Sequence, residues 1–202
     1  MPVRFPYYER LSATEKAVYR ASDAIAAVRL DGDLAALRAL TAALEPALAT
    51  ARTADVRIAA NRLARALCLQ LGLRAPEIRV LETRPRAADA SELHGLYTTG
   101  ERPRPIIRVW MRTAAKRRTV AFRTFVRTLL HEVCHHLDFE LYNLPESFHT
   151  RGFFQRESSL ARQLLPAGEP IAAQPLGLAT SSTMRPSARS TTSAAGPKLK
   201  RT

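Results

Sequence analysis

At 202 residues, 46% of them hydrophobic and 24% charged, the chain can bury one substantial core and is too short for two large domains. The absence of any run of about eighteen apolar residues argues against a membrane-spanning helix, and residues 1–10 lack the apolar stretch of a secretory signal. The formal net charge of +13 admits a nucleic-acid partner without requiring one, because only Lys16, Lys116, Lys198 and Lys200 are lysines and such arginine-heavy, alanine-rich usage also follows from a GC-rich genome.

In chain order, Ser12 and Glu15 form a capping box, and Val18, Ala21, Ile25 and Val28 then recur at helical spacing up to Asp31-Gly32. Leu34, Leu37, Leu40 and Leu44 predict a second helix ending near Pro46. Val56, Ala60, Leu63 and Leu67 predict a third, closed by Gly72. After Pro76 the period changes. Ile78 and Val80 alternate with Glu77 and Arg79, a short strand is expected near His94 to Thr98, and Ile107, Val109 and Met111 alternate with Arg108, Trp110 and Arg112. From about Thr119 to Tyr142 the pattern is helical again, with Phe122, Val126, Leu129, Val133 and Leu137 on one stripe. Asn143-Leu144-Pro145 ends it, and a last helix is expected from about Thr150 to Leu165.

This order predicts an α+β fold with an N-terminal helical segment over 1–75, a domain over 76–165 and a disordered Ser/Thr/Pro/Ala-rich tail over 166–202. The tail carries Arg185, Arg189, Lys198, Lys200 and Arg201 against Glu169, a net of 5 − 1 = +4, so +9 of the charge stays with residues 1–165. Two cysteines, Cys68 and Cys134, are too few for a disulfide framework, and a reducing, cytoplasmic compartment is the expectation.

The chemistry concentrates in His131-Glu132-Val133-Cys134-His135. Two histidines four apart on a helix leave the same face, so both imidazoles can meet one Zn²⁺. Glu132, about 100° around the helix from His131, lies beside such a metal without being forced to ligate it. There it can take a proton from a water activated by the metal and pass it to a leaving amine. A catalytic zinc needs a third protein ligand and an open position. His149 and Glu157 are the candidates. His149 is preferred, because the Leu144-Pro145 turn can fold it back onto the preceding helix; Glu157 is the alternative. His136 points away from His135 and reads as a supporting or surface residue, His94 as an ordinary strand histidine, and Cys134 as a small buried side chain. Tyr97, Tyr142 and Arg156 are candidates for stabilising an oxyanion, with nothing in the sequence to choose among them.

From about Pro76 to Leu165 the chain resembles the SprT-like family of minimal zincins. The resemblance rests on strands followed by Thr128-Leu129-Leu130-His131-Glu132-Val133-Cys134-His135, then His149 with Phe153 four positions on. It implies a small, mostly antiparallel sheet, His131, His135 and His149 as zinc ligands, Glu132 as general base, and a protein or peptide substrate. The chain departs from many members in having no cysteine after Cys134 for a zinc ribbon, and Thr150 follows the third histidine where glycine is frequent. The functional expectation is a zinc metallopeptidase. Its rivals are a nucleic-acid-binding protein with a structural or vestigial zinc site, and a zinc hydrolase acting on something other than peptide. Arg112, Lys116, Arg117 and Arg118, just before the histidine-bearing helix, are the residues a DNA contact would use; a solvated loop is the plainer reading.

Overall fold

A computed structural model describes residues 5–85, 95–99, 104–113 and 118–166. After a 3₁₀ turn over Pro6–Arg10 come four helices: α1 (Ala13–Ala24), α2 (Leu34–Ala42), α3 (Leu44–Ala49) and α4 (Thr53–Gln70). Three strands follow, β1 (Glu77–Thr83), β2 (Gly95–Thr98) and β3 (Ile106–Arg112), and then α5 (Phe122–Glu140) and α6 (Arg151–Leu164). The α+β class is as expected. No helix among the described residues is long and apolar enough to cross a membrane.

Local chemistry explains most boundaries. The Ser12–Glu15 capping box opens α1, with both reciprocal hydrogen bonds formed. Asp33 caps α2 by accepting the Ala36 amide at 2.8 Å. Gly72, at φ +68°, closes α4: the Leu73 amide reaches the Cys68 carbonyl and the Gly72 amide reaches Leu69, satisfying two orphan carbonyls. At the end of α5, Asn143 takes the left-handed conformation at φ 52° and the Leu144 amide returns to the Asp138 carbonyl at 2.8 Å.

Two helical expectations need correction. The first helix stops at Ala24, short of Ile25 and Val28. An arginine from α6 accounts for the break: Arg156 Nη1 donates to the Ser22 and Ile25 carbonyls at 2.7 and 2.6 Å and so terminates the ladder from outside. Val28 is nevertheless buried, in extended chain. Pro46 does not end the second helix. It sits in the first turn of α3, where its missing amide has no intrahelical partner to lose.

The sheet is mixed, not mostly antiparallel. Its order is β1-β3-β2, with β1 parallel to β3 (Ile78 opposite Ile107) and β2 antiparallel to it (Tyr97 opposite Ile107). As the central strand, β3 is buried on both faces through Ile106, Ile107, Val109, Trp110 and Met111, which its sequence alternation alone did not convey. On the other edge, the Asn61 side chain exchanges two hydrogen bonds with the Ile78 backbone at 2.8 and 3.1 Å, so α4 covers part of the free rim of β1. The short strand expected near His94 forms over Gly95–Thr98; His94 itself, Lys116, Arg117 and the tail beyond Pro166 lie outside the described residues.

One hydrophobic cluster runs from Leu37, Leu44, Val56 and Leu67 through Ile78, Ile107 and Met111 to Phe125, Leu129, Val133 and Phe153. The N-terminal helices therefore share a core with the sheet and the last two helices. α1 and α6 approach closely at Gly152, whose amide donates to Asp23 Oδ1 at 3.0 Å. A Cβ at Gly152 would lie 2.5 Å from the Asp23 carbonyl oxygen and 2.6 Å from that of Ser22. Gly152→Ala is expected to force α1 and α6 apart and to lower unfolding stability by about 1–3 kcal/mol, as overpacking does; the midpoint of urea unfolding measures it.

Candidate metal centre

α5 lies with nearly every side buried, so its polar residues are held in fixed company. His131 and His135 leave one face of it, and the reversal at Asn143 returns the chain so that His149 stands just before Thr150, the N-cap of α6. His149 Nε2 lies 3.0 Å from His131 Nε2 and 3.2 Å from His135 Nε2. The buried ring of Phe153 backs the cluster, its centroid 4.9, 4.7 and 5.0 Å from the rings of His131, His135 and His149. The Phe154 ring stacks on His149 at 5.8 Å.

The outer nitrogens decide what this convergence means. His131 Nδ1 faces Glu157 Oε2 at 3.1 Å, and Arg127 holds the other carboxylate oxygen at 3.0 Å. Burial alone would raise the Glu157 carboxyl, but its bonds to His131 and Arg127 bring it below the ordinary value, so it is an anionic acceptor. His131 Nδ1 therefore carries a proton, which in the neutral ring leaves the lone pair on Nε2. His135 Nδ1 lies 2.7 Å from Ser147 Oγ, whose own proton goes to Asp138 Oδ2 at 2.6 Å. That hydroxyl is left to accept, which again places the proton on Nδ1 and a lone pair on Nε2. Burial first, and the neighbouring histidines second, push the His135 imidazole well below its usual pKa; the same causes lower His149 to about 4. A single N–H on His149 can bridge to one of its neighbours, never both.

Three convergent imidazoles, two of them with the outer nitrogen tied to a partner, suit a cation. Nitrogens held tetrahedrally at about 2.0–2.1 Å from zinc stand roughly 3.3 Å apart, close to the spacings found. All three ligand atoms lie within 4.8 Å of one another, and they are the one such group of His, Cys, Asp or Glu among the described residues.

Nothing among known protein families, curated proteins or solved structures matches the chain. The site must be read from its own geometry.

Glu132 projects from α5 toward β2, where its carboxylate accepts the Tyr97 backbone amide. A Cβ at Gly95 would overlap the Glu132 carboxylate, with Cγ only 2.6 Å away, so the strand and the acid approach as closely as they do because residue 95 has no side chain. Burial raises Glu132 to about 7 against the opposing pull of His131 and the Tyr97 amide. A cation at the three nitrogens would lower it again. Such a group takes and returns a proton near neutrality.

The remaining candidates fall elsewhere. Glu157 does not join the three nitrogens; it stands behind His131. His136 is fully buried, donating from Nε2 to the Arg74 carbonyl at 2.9 Å and accepting the Tyr97 hydroxyl at Nδ1 at 3.2 Å, so it ties β2 and the chain after α4 to α5. Arg156 is fully buried and committed to Asp138 and to the end of α1, which removes it as an oxyanion donor. Tyr142 packs beside that guanidinium, and Cys134 is buried. Sequence reasoning passed over Gly95, Asp138 and Ser147. Asp138 had a signal, since it stands three residues after His135 on the same helical face.

His149→Ala is expected to abolish stoichiometric binding of a divalent ion at micromolar concentration. Glu157→Gln is expected to keep one ion per chain at roughly 10–100-fold weaker affinity; competition against a chromophoric chelator measures both.

Proposed function

We propose that the protein is a zinc-dependent peptidase of the SprT-like minimal zincin kind, with His131, His135 and His149 holding the metal and Glu132 as general base. The observation that carries this reading is the pairing of three convergent imidazoles with a buried carboxyl from the intervening position of the same helix. Among the described residues the cluster has three members, which supports an open fourth position over a closed structural site.

Zinc held there supplies a Lewis acid for the scissile carbonyl and makes water nucleophilic at neutral pH. The chain supplies the rest. Glu132 accepts the proton of the attacking water at its carboxylate and delivers it to the leaving amine. Gly95 and the Tyr97 amide hold that carboxylate against β2, so its reach is set by the strand. Because β2 is an edge strand, an extended peptide laid along it would pass beside Glu132 with backbone hydrogen bonds giving the register. The substrate class is therefore an extended, unstructured protein segment.

Metal analysis of the purified, zinc-reconstituted protein is expected to give one zinc per chain. Glu132→Gln is expected to keep that zinc while cleavage of an unstructured protein falls by at least about 10²–10⁴-fold. A wild type that binds no zinc, or a variant that cleaves undiminished, overturns the reading.

A further inference from the structure

His135 is the most deeply enclosed of the three ligands, and behind it runs a chain of polar contacts into the body of the protein. His135 Nδ1 lies 2.7 Å from Ser147 Oγ; Ser147 donates to Asp138 Oδ2 at 2.6 Å; Arg156 Nη2 donates to Asp138 Oδ1 at 2.6 Å. Asp138 and Arg156 are both fully buried. The same guanidinium donates to the Ser22 carbonyl, the Ile25 carbonyl and Ser22 Oγ at 2.7, 2.6 and 3.0 Å. Five polar partners thus link a metal-facing imidazole to the C-terminal end of α1.

Ser147 alone could not fix the imidazole, since a hydroxyl donates as readily as it accepts. If its proton pointed at His135, the ring would invert its tautomer, placing N–H on Nε2 and closing that nitrogen to a cation. The Asp138 carboxylate removes the choice. Acceptor-only when ionised, it draws the Ser147 proton to itself and leaves an oxygen lone pair for His135 Nδ1–H. Burial raises the Asp138 carboxyl, and the Arg156 guanidinium pulls against that rise and so favours the anion, while the α1 carbonyls fix the guanidinium.

We propose that Asp138, acting through Ser147, is the positioning carboxylate of the His135 ligand, and that Arg156 makes its geometry depend on the end of α1. The proposal rests on the reading of the three histidines as a metal site, but its first consequence concerns the protein without metal. There, His135 is held as the Nδ1–H tautomer.

The test compares Ser147→Ala and Ser147→Thr with the wild type, full chain in each case. Ring ¹⁵N shifts of the metal-free proteins report the His135 tautomer, which a merely structural role would not move. The expectation is Nδ1–H in the wild type and in Ser147→Thr, and a substantial Nε2–H population in Ser147→Ala. In chelator competition Ser147→Ala is expected to bind zinc about 10–100-fold more weakly, and Ser147→Thr, which keeps the hydroxyl, to regain most of the loss. Asp138→Asn is expected to mix the tautomers as Ser147→Ala does, because an amide both donates and accepts. An unchanged tautomer in Ser147→Ala overturns the proposal, as does an unchanged zinc affinity where the wild type binds zinc. A wild type that binds no zinc sinks the peptidase reading instead, and the tautomer measurement still decides this one.

Discussion

Everything in the candidate site turns on nitrogen lone pairs brought together in a largely buried pocket. Two of the three imidazoles have their outer protons committed, one to Glu157 and one to Ser147, so their inner nitrogens can only accept. Held 3.0 and 3.2 Å from a third imidazole nitrogen, they are mutually repulsive unless a proton or a metal ion lies between them. Burial disfavours the proton, since His135 and His149 are both pushed toward neutrality. Burial disfavours the charged ring and leaves a coordinating cation as the natural way to offset the repulsion. Metal binding and folding are linked in such a site, because the donors exist as a set only in the folded chain.

The enclosure of α5 makes this possible. A helix exposed on one side would leave its histidines in water, free to choose tautomer and charge. Here Phe125, Leu129, Val133 and Leu137 bury the apolar stripe, while Thr128, Glu132, His136 and Asp138 are buried as well. Burying a polar group without a partner costs on the order of 1–3 kcal/mol, and three of these four find one: Glu132 at the Tyr97 amide, His136 at Tyr97 and Arg74, Asp138 at Ser147 and Arg156. Thr128 Oγ1 is buried with no hydrogen-bond partner among the described residues. β2 serves two of them at once. Its Tyr97 meets His136 through the hydroxyl and Glu132 through the backbone, so the strand is registered against one face of α5 at two points a turn apart.

Much of this was legible in the residue pattern. The spacing of His131 and His135 fixed their common face, the Leu144-Pro145 turn brought His149 back, and the capping box and Gly72 marked helix ends by chemistry that acts within a few residues. What failed to show was non-local. The first helix ends at Ala24 because an arginine 131 positions beyond Ile25 takes its carbonyls. Strand β1 pairs parallel to β3 and β2 antiparallel to it, a matter of sheet order that alternation does not encode. Glu157 stood as a rival ligand since spacing places it near the site; only the packing of α6 on α5 shows that it meets the outer nitrogen of His131. Ser147 is an ordinary polar residue in sequence and acquires a role only where the fold sets it between His135 and Asp138.

The third ligand poses a different problem, because His149 sits in a connecting segment and such segments are the most mobile part of a fold. Fixing one residue's backbone costs about 1–2 kcal/mol, so a ligand there is useful only if contacts made before the metal arrives already bear that cost. The N-terminal segment supplies them. The Tyr7 hydroxyl donates to the His149 carbonyl at 2.9 Å, and the Tyr7 and Tyr19 rings pack on Phe148 at centroid distances of 6.5 and 6.2 Å. Ser22 Oγ meets Thr150 Oγ1 at 3.4 Å, and Asp23 takes the Gly152 amide at the first turn of α6. Residues 148, 149, 150 and 152 are thus each gripped from residues 7–23. The helices that precede the strands therefore belong to the site physically, as the frame that holds a loop-borne histidine at the spacing the two helical ones require.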